Sequence, residues 1–256
     1  MRSRLSPPEL MRGDALFLDF DGTLVQFADR PDRIRVDPAL PRLLARLQRA
    51  LEGAVAVVTG RRLESIDRYL APLKPYGAGL HGAELRDAQG HEDRSRDIGA
   101  ALRRAAAELR RRYEHDPEVW LEDKGGALAL HYRAAPQRAP ECLRIARALA
   151  GEHGLSMLVG KQVAELRPPG VDKGAAIQAL MTRSPFQRRR PVFAGDDATD
   201  EDGFAAVEAM GGVSVKVGDG PTGARYRLAD EAETRRWLEG SLAALEVRLP
   251  PAEFRA

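Results

Sequence analysis

Ala15-Leu16-Phe17-Leu18-Asp19-Phe20-Asp21-Gly22-Thr23-Leu24 is an apolar run that ends on two aspartates and a glycine. The run Ala15 to Phe20 predicts a short strand buried on both faces, as in a parallel sheet. Asp19 and Asp21, two apart, can lie on one side of the chain as it leaves that sheet, and Gly22 permits the sharp turn that follows. Two carboxylates this close repel unless a proton or cation intervenes. A hard divalent ion such as magnesium resolves that, and would also offset repulsion between an ionised Asp19 and a phosphate dianion. Read alone, the same residues also describe an Asp-Gly turn with Asp19 as a helix cap.

Outward from this stretch, Ala54 to Val58, Val192 to Gly195 and Val213 to Val217 are further short apolar runs. Helical patterns alternate with them: Ala39 to Leu51, Leu63 to Leu70, Lys173 to Met181, Gly203 to Met210 and Glu231 to Leu245. That alternation predicts a doubly wound α/β fold with a parallel sheet. From about Asp93 to Pro168 the order changes to helix, two strands, helix, two strands. Ile98, Leu102, Ala105, Leu109 and Tyr113 recur at helical spacing. Lys124-Gly125-Gly126 predicts a hairpin turn. Beyond it Leu128, Leu130 and Tyr132 share one strand face, and Ala127, Ala129, His131 and Arg133 the other. The segment is expected to be an antiparallel sheet with helices on one face, a second domain inserted into the first, with Pro168-Pro169-Gly170 as the return hinge. The expected division is 1–92 and 169–256 for the core and 93–168 for the insertion.

Three more motifs carry chemistry. Thr59-Gly60-Arg61 follows the strand Ala54 to Val58, where a hydroxyl and backbone N–H groups suit a phosphate oxygen; Thr59 also reads as an ordinary helix cap. Lys173, in Val171-Asp172-Lys173-Gly174, opens a helix where its charge opposes the macrodipole. It can neutralise phosphate and hold a nucleophile, or be a solvated lysine. Gly195-Asp196-Asp197-Ala198-Thr199-Asp200-Glu201 places four carboxylates in six residues, a costly arrangement unless solvated or metal-bound; a well-capped helix start is the other reading. In an open parallel sheet the carboxyl ends of the strands share one edge, so the motifs can converge on one site.

In this order the motifs resemble the haloacid dehalogenase superfamily of aspartate-nucleophile phosphatases. The resemblance covers the whole chain: a Rossmann-like hydrolase core with an α+β cap inserted between the Thr59 and Lys173 motifs. It implies that Asp19 is the nucleophile and Asp21 the general acid–base, and that Thr59 and Lys173 bind the phosphoryl group. It further implies that Asp196 ligates Mg2+ with Asp19 and the backbone carbonyl of Asp21, Asp197 and Asp200 lying close by in support. Within the superfamily, His81-Gly82-Ala83-Glu84-Leu85-Arg86, Glu122-Asp123-Lys124 with His131-Tyr132-Arg133, Gly160 to Pro168 (GKQVAELRP) and GDDATDE resemble the trehalose-6-phosphate phosphatases. Val25-Gln26-Phe27-Ala28-Asp29 departs from that pattern. The resemblance implies trehalose 6-phosphate as substrate, bound by Gly60 and Arg61 in the core and by Glu122, Lys124, Arg133, Lys161 and Glu165 in the cap. Glu122 and Lys124 share strand parity, as do Lys161 and Glu165, so both pairs can project from one face; a salt-bridged surface is the other reading. Phosphatases of sucrose phosphate or mannosylphosphoglycerate, a phosphomannomutase-like enzyme, and a receiver-type signalling domain are the alternatives. A receiver is disfavoured because the nucleophile ends the first strand and a large insertion follows Thr59.

Forty basic against 38 acidic residues leave a net charge of +2, which points to no nucleic-acid partner. The opening MRSRLSPPELMRGD has no signal-like apolar core, and no run approaches the roughly 20 apolar residues that span a bilayer. The single cysteine, Cys142, allows no internal disulfide and fits a reducing compartment. A cytoplasmic protein acting on a small sugar phosphate, away from membranes, is expected; oligomeric state is not legible.

Overall fold

The structure, a computed structural model, describes residues 5–26, 34–87, 90, 92–94 (backbone only), 99–124, 126–160 and 162–247. Lys161, Gly125, Ile98 and Phe27 to Asp29 lie outside the described residues. The chain packs as two compact units, Met1–Glu92 with Asp172–Ala256, and Asp93–Val171.

The larger sheet has eight strands, β1 (Asp14–Leu18), β2 (Val55–Val58), β3 (Tyr76–Gly79), β4 (Glu84–Arg86), β5 (Glu92–Arg94), β10 (Arg190–Gly195), β11 (Val213–Val217) and β12 (Tyr226–Leu228), all in the first unit except β5, of which only Glu92 belongs to it. The four intervening strands, between residues 120 and 167, belong to the second unit. The sheet order is β12-β11-β10-β1-β2-β3-β4-β5. Every pairing from β12 to β3 is parallel, and β4 returns antiparallel to β3. This is the doubly wound α/β sheet that the alternating apolar runs imply.

Both faces of β1 are covered, which is why its pattern is continuous rather than alternating. Leu16 and Leu18 face a layer built by α1 (Leu40–Ala50), α2 (Leu63–Leu70) and α7 (Glu231–Val247). Ala15 and Phe17 face α5 (Lys173–Met181) and α6 (Glu201–Ala209). Helix α1 buries Leu40, Leu43, Leu44 and Leu47, the stripe that a 3.6-residue period brings to one side.

The second unit runs α3 (Gly99–Tyr113), β6 (Trp120–Asp123), β7 (Leu128–His131), α4 (Ala139–His153), β8 (Ser156–Gly160), β9 (Val163–Arg167). Its four strands form an antiparallel sheet in the order β6-β7-β9-β8. Leu128, Leu130, Ala164 and Leu166 pack with α3 and α4 in one apolar cluster that also buries Cys142. Strand β7 ends at His131, so Arg133 lies beyond it and is exposed.

Candidate active site

Strand β1 sits at the point where strand order reverses. The chain leaves it towards β2 and β3 on one side, and returns through β10 to β11 and β12 on the other. The crevice beyond the carboxyl ends of two such neighbouring strands is where open α/β sheets bind ligands. Asp19 follows β1 and Asp196 follows β10, and the Asp19 backbone N–H donates to the Ala194 carbonyl at 2.9 Å, tying the two exits together.

Lys173, the first residue of α5, meets Asp19 although 154 residues separate them. Its Nζ donates to Asp19 Oδ1 at 2.7 Å and to Asp200 Oδ1 at 2.7 Å. All three side chains are buried. Helix α5 is capped by Asp172, whose carboxylate accepts from the Ala175 N–H at 2.7 Å; the cap fixes the turn that aims Lys173 inward. The other carboxylate of Lys173, Asp200, also accepts from the N–H groups of Asp196 and Asp197 at 2.9 Å each. Asp197 caps the following short turn, its Oδ1 accepting from the Thr199 N–H and hydroxyl. The acid-rich segment is thus a capped helix start and also part of a buried charge cluster.

Burial pushes Asp19 well above the usual carboxylate range, with Lys173 pulling the other way. Burial and the neighbouring Asp200 and Asp197 push Asp196 up to about 7. Asp200 is raised too, again chiefly by burial. Burial also works to raise Asp197, but Lys173 and the Thr199 hydrogen bonds outweigh it and hold that acid below its usual value. Lys173 and Lys216, the buried lysines at this site, do not balance Asp19, Asp196, Asp197 and Asp200. Asp19, Asp196 and Asp200 each offer a carboxylate oxygen within 4.8 Å of the others. Hard oxygen donors short of positive charge are what a divalent cation needs, so the donor set fits one. The Asp21 and Asp197 carboxylates are not in this trio.

The turn at Gly22 has φ +74°, and a Cβ there would lie 2.2 Å from Asp196 Oδ2. Glycine is required twice over, for the left-handed backbone and for the closeness of Asp196. Asp21, one residue before, accepts two hydrogen bonds from Arg61, Nε to Oδ2 at 2.5 Å and a terminal nitrogen to Oδ1 at 2.7 Å. Arg61, which the sequence marks as a substrate-binding residue, has its fork on the Asp21 carboxylate. Thr59 Oγ1 accepts from the Arg61 N–H at 3.1 Å, leaving its hydroxyl proton to donate elsewhere. A Cβ on Gly60 would meet His81 Nε2 at 2.6 Å. His81 is held there by its N–H donating to Thr59 O, while the Leu80 N–H donates to Arg61 O. Leu80 and His81 both sit at positive φ, 51° and 57°, a strained pair of non-glycine residues.

Lys216 is a site residue that sequence reasoning missed. It is buried on β11 and donates from Nζ to the Asp196 carbonyl, and to the Val217 carbonyl at 2.8 Å. A lysine inside Val-Ser-Val-Lys-Val was the available signal, since charge in a buried strand needs a purpose.

In the second unit, Lys124 Nζ donates to Glu165 Oε2 at 2.8 Å and His131 Nε2 lies 3.0 Å from Glu122 Oε2. Glu122 and Glu165 both pair with Ala129 across the sheet, so they flank it on one face.

Solved structures of this architecture include a phosphatase of the haloalkanoate enzyme superfamily from Bacteroides thetaiotaomicron. It is 17% identical, with TM-score 0.63 over 91% of this chain and 94% of that one. The fold is that of the haloacid dehalogenase superfamily. A trehalose-6-phosphate phosphatase related protein superposes with TM-score 0.76 at 30% identity, covering 91% of this chain and 99% of the other. Trehalose-6-phosphate phosphatase of Escherichia coli strain K12 is 40% identical over 240 residues, 93% of this chain and 90% of that protein. A probable trehalose-phosphate phosphatase of Sinorhizobium fredii is 40% identical over 237 residues, 91% of this chain and 89% of its own length. The sequence pattern of the trehalose-phosphatase family matches residues 17–232. The chain belongs to the trehalose-phosphatase family, and is a phosphomonoester hydrolase. No helix among the described residues is long and apolar enough to cross a membrane.

Proposed function

We propose that the chain hydrolyses trehalose 6-phosphate to trehalose and phosphate, with Asp19 as nucleophile. The observation that carries the reading is the buried Asp19–Lys173–Asp200 chain beside Asp196, at the switch point of the sheet. Lys173 holds Asp19 Oδ1, which fixes the direction of the other oxygen. That oxygen attacks phosphorus in line, forming an aspartyl phosphate while the bond to the sugar oxygen breaks. To protonate the leaving alkoxide Asp21 must first take up a proton away from the Arg61 fork, which holds the ionised form; as a carboxylate it then takes a proton from the water that cleaves the acyl phosphate, restoring Asp19 and releasing phosphate. Arg61 keeps the Asp21 carboxylate aimed. The Thr59 hydroxyl and the Gly60 turn receive a phosphoryl oxygen, and Lys173 neutralises part of its charge.

Asp19, Asp196 and the backbone carbonyl of Asp21 would hold Mg2+, with Asp200 and Asp197 fixing the loop behind them. Bound there, Mg2+ would offset the packed carboxylates and stabilise charge on the phosphoryl oxygens. Residues 93–168 serve as a cap, in which Glu122, Lys124, Glu165, Lys161 and Arg133 read sugar hydroxyls through charge-assisted hydrogen bonds. The substrate is supported by the names of the 40%-identical relatives. A reducing cytoplasm suits the single buried thiol, Cys142.

Phosphate release from a panel of sugar phosphates, with and without Mg2+, tests the reading. Trehalose 6-phosphate should lead the panel and chelator should abolish turnover. A clear preference for sucrose phosphate or mannosylphosphoglycerate would overturn the substrate, and full activity in excess chelator the metal.

A further inference from the structure

Trp120 is 48% exposed. An indole on the edge strand of a four-stranded sheet forgoes the burial most tryptophans obtain, so its surroundings bear on its purpose. The ring lies flat on the His131 imidazole, with centroids 3.9 Å apart and planes 9° from parallel. The two residues are directly opposed in the β6–β7 ladder, so both project from one face. Glu122 and Glu165 project from that same face, on either side of the small Ala129. The apolar cluster with α3 and α4 lies on the opposite face, under Leu128 and Leu130.

His131 is fixed twice, by the indole over its ring and by Glu122 at its Nε2. The hydrogen bond to His131 holds the Glu122 carboxyl below its usual range, so the partly exposed Glu122 is an ionised, acceptor-only group. The face therefore offers a flat aromatic plate, then a carboxylate, then the Lys124–Glu165 pair. A pyranose ring has a matching division: an apolar C–H face and a rim of hydroxyls that donate and accept.

We infer that the Trp120 indole, backed by His131, is the surface on which a sugar ring of the substrate rests, while Glu122 takes hydroxyls at its rim. The inference builds on the sugar-phosphate reading above. Trp120 then sets affinity for a sugar phosphate and does nothing for a small aryl phosphate, which has no ring of that kind to stack.

Fluorescence makes this testable, because the chain has only two tryptophans. The other, Trp237, lies in the first unit and donates to the Pro8 carbonyl. In a Trp237→Phe protein the emission is that of Trp120 alone, and titration with trehalose should change it saturably. In a Trp120→Phe protein trehalose should leave the emission unmoved. Kinetically, Trp120→Ala should raise KM for trehalose 6-phosphate about tenfold, the equivalent of about 1.4 kcal/mol of lost contact, with kcat nearly kept. Turnover of a small aryl phosphate should be unchanged, and Trp120→Phe should recover most of the loss. An unchanged KM in Trp120→Ala, or no emission change at trehalose concentrations that inhibit the enzyme, overturns the inference. Failure of wild type on trehalose 6-phosphate falls instead on the proposed substrate. The same Trp120 variants, assayed on whichever sugar phosphate wild type does hydrolyse, then decide the role of the indole.

Discussion

Replacing Lys173 by methionine removes the ammonium that Asp19 and Asp200 share and leaves an apolar stem of similar length. Both contacts are 2.7 Å and the lysine side chain is only 3% exposed, so water does not replace what is lost. Breaking a buried pair costs about 3–5 kcal/mol because the partner charge stays buried and uncompensated. Two partners place Lys173→Met towards the upper end. For a domain of this size about 1 kcal/mol shifts the melting temperature by about 2–4 °C, so the core transition should fall by about 10–20 °C in EDTA at pH 7. The sign of the pH dependence follows from the acids. Burial raises the folded-state values of Asp19 and Asp200 and Lys173 lowers them, so deleting it moves both further up. A carboxylate whose folded value exceeds its unfolded one, about 3.9, loses stabilisation as pH rises through the folded value. The deficit should grow as pH rises above about 4 and shrink as pH falls back towards it. Adding Asp200→Asn should recover part of the loss, since two neighbours in one network do not act additively. Thermal melts of wild type, Lys173→Met, Asp200→Asn and the double variant across this pH range give the answer. A Lys173→Met protein that melts with wild type in EDTA at pH 7 would refute the charge-balance argument.

Asp19→Asn should abolish phosphate release from any substrate, and an active variant would remove Asp19 as nucleophile. Asp21→Asn should slow turnover by roughly 10²–10⁴, the usual range for general acid–base catalysis, and allow a phosphoenzyme to be detected by intact mass. Gly22→Ala should lose metal-dependent activity and melt lower, because a left-handed alanine costs about 1–2 kcal/mol and its methyl would displace Asp196. Lys216→Met should weaken divalent-ion binding by roughly 10- to 100-fold, the effect usual for groups that orient metal ligands, as read by calorimetry with Mg2+ or Mn2+. Unchanged binding would show that its grip on the Asp196 carbonyl has no bearing on the cluster.

The central strands were legible because burial on both faces writes itself as uninterrupted Val, Leu and Phe. Strand β3, Tyr-Gly-Ala-Gly, was not. Gly77 approaches β2 so closely that a Cβ would lie 2.2 Å from the Val57 carbonyl oxygen, so packing demands the residue that composition reads as a turn. The three-residue strands β4, β5 and β12 are too short for any period to register. At the site, Asp19, Thr59, Lys173 and Asp196 could be named from their places at strand ends and a helix start. The hold of Arg61 on Asp21, of Lys216 on the Asp196 loop, and of Trp120 on His131 could not. Each depends on which side chains from distant segments meet, and strand pairing, not local pattern, decides that.

Strand β1 draws one neighbour, β2, from the sequence just after it, and the other, β10, from far along the chain: Asp14 meets Arg190 across 176 residues. During synthesis at about 5–20 residues per second, the flank of β1 that will receive β10 stays open for about 10–35 s. Through that interval the nascent protein presents a bare apolar edge with unpaired N–H and C=O groups, the template on which chains aggregate. The same delay keeps Asp19 without Lys173. The residue proposed to attack phosphate is therefore made long before the chain can use it, and the interval in which expression can fail closes only when β10 docks.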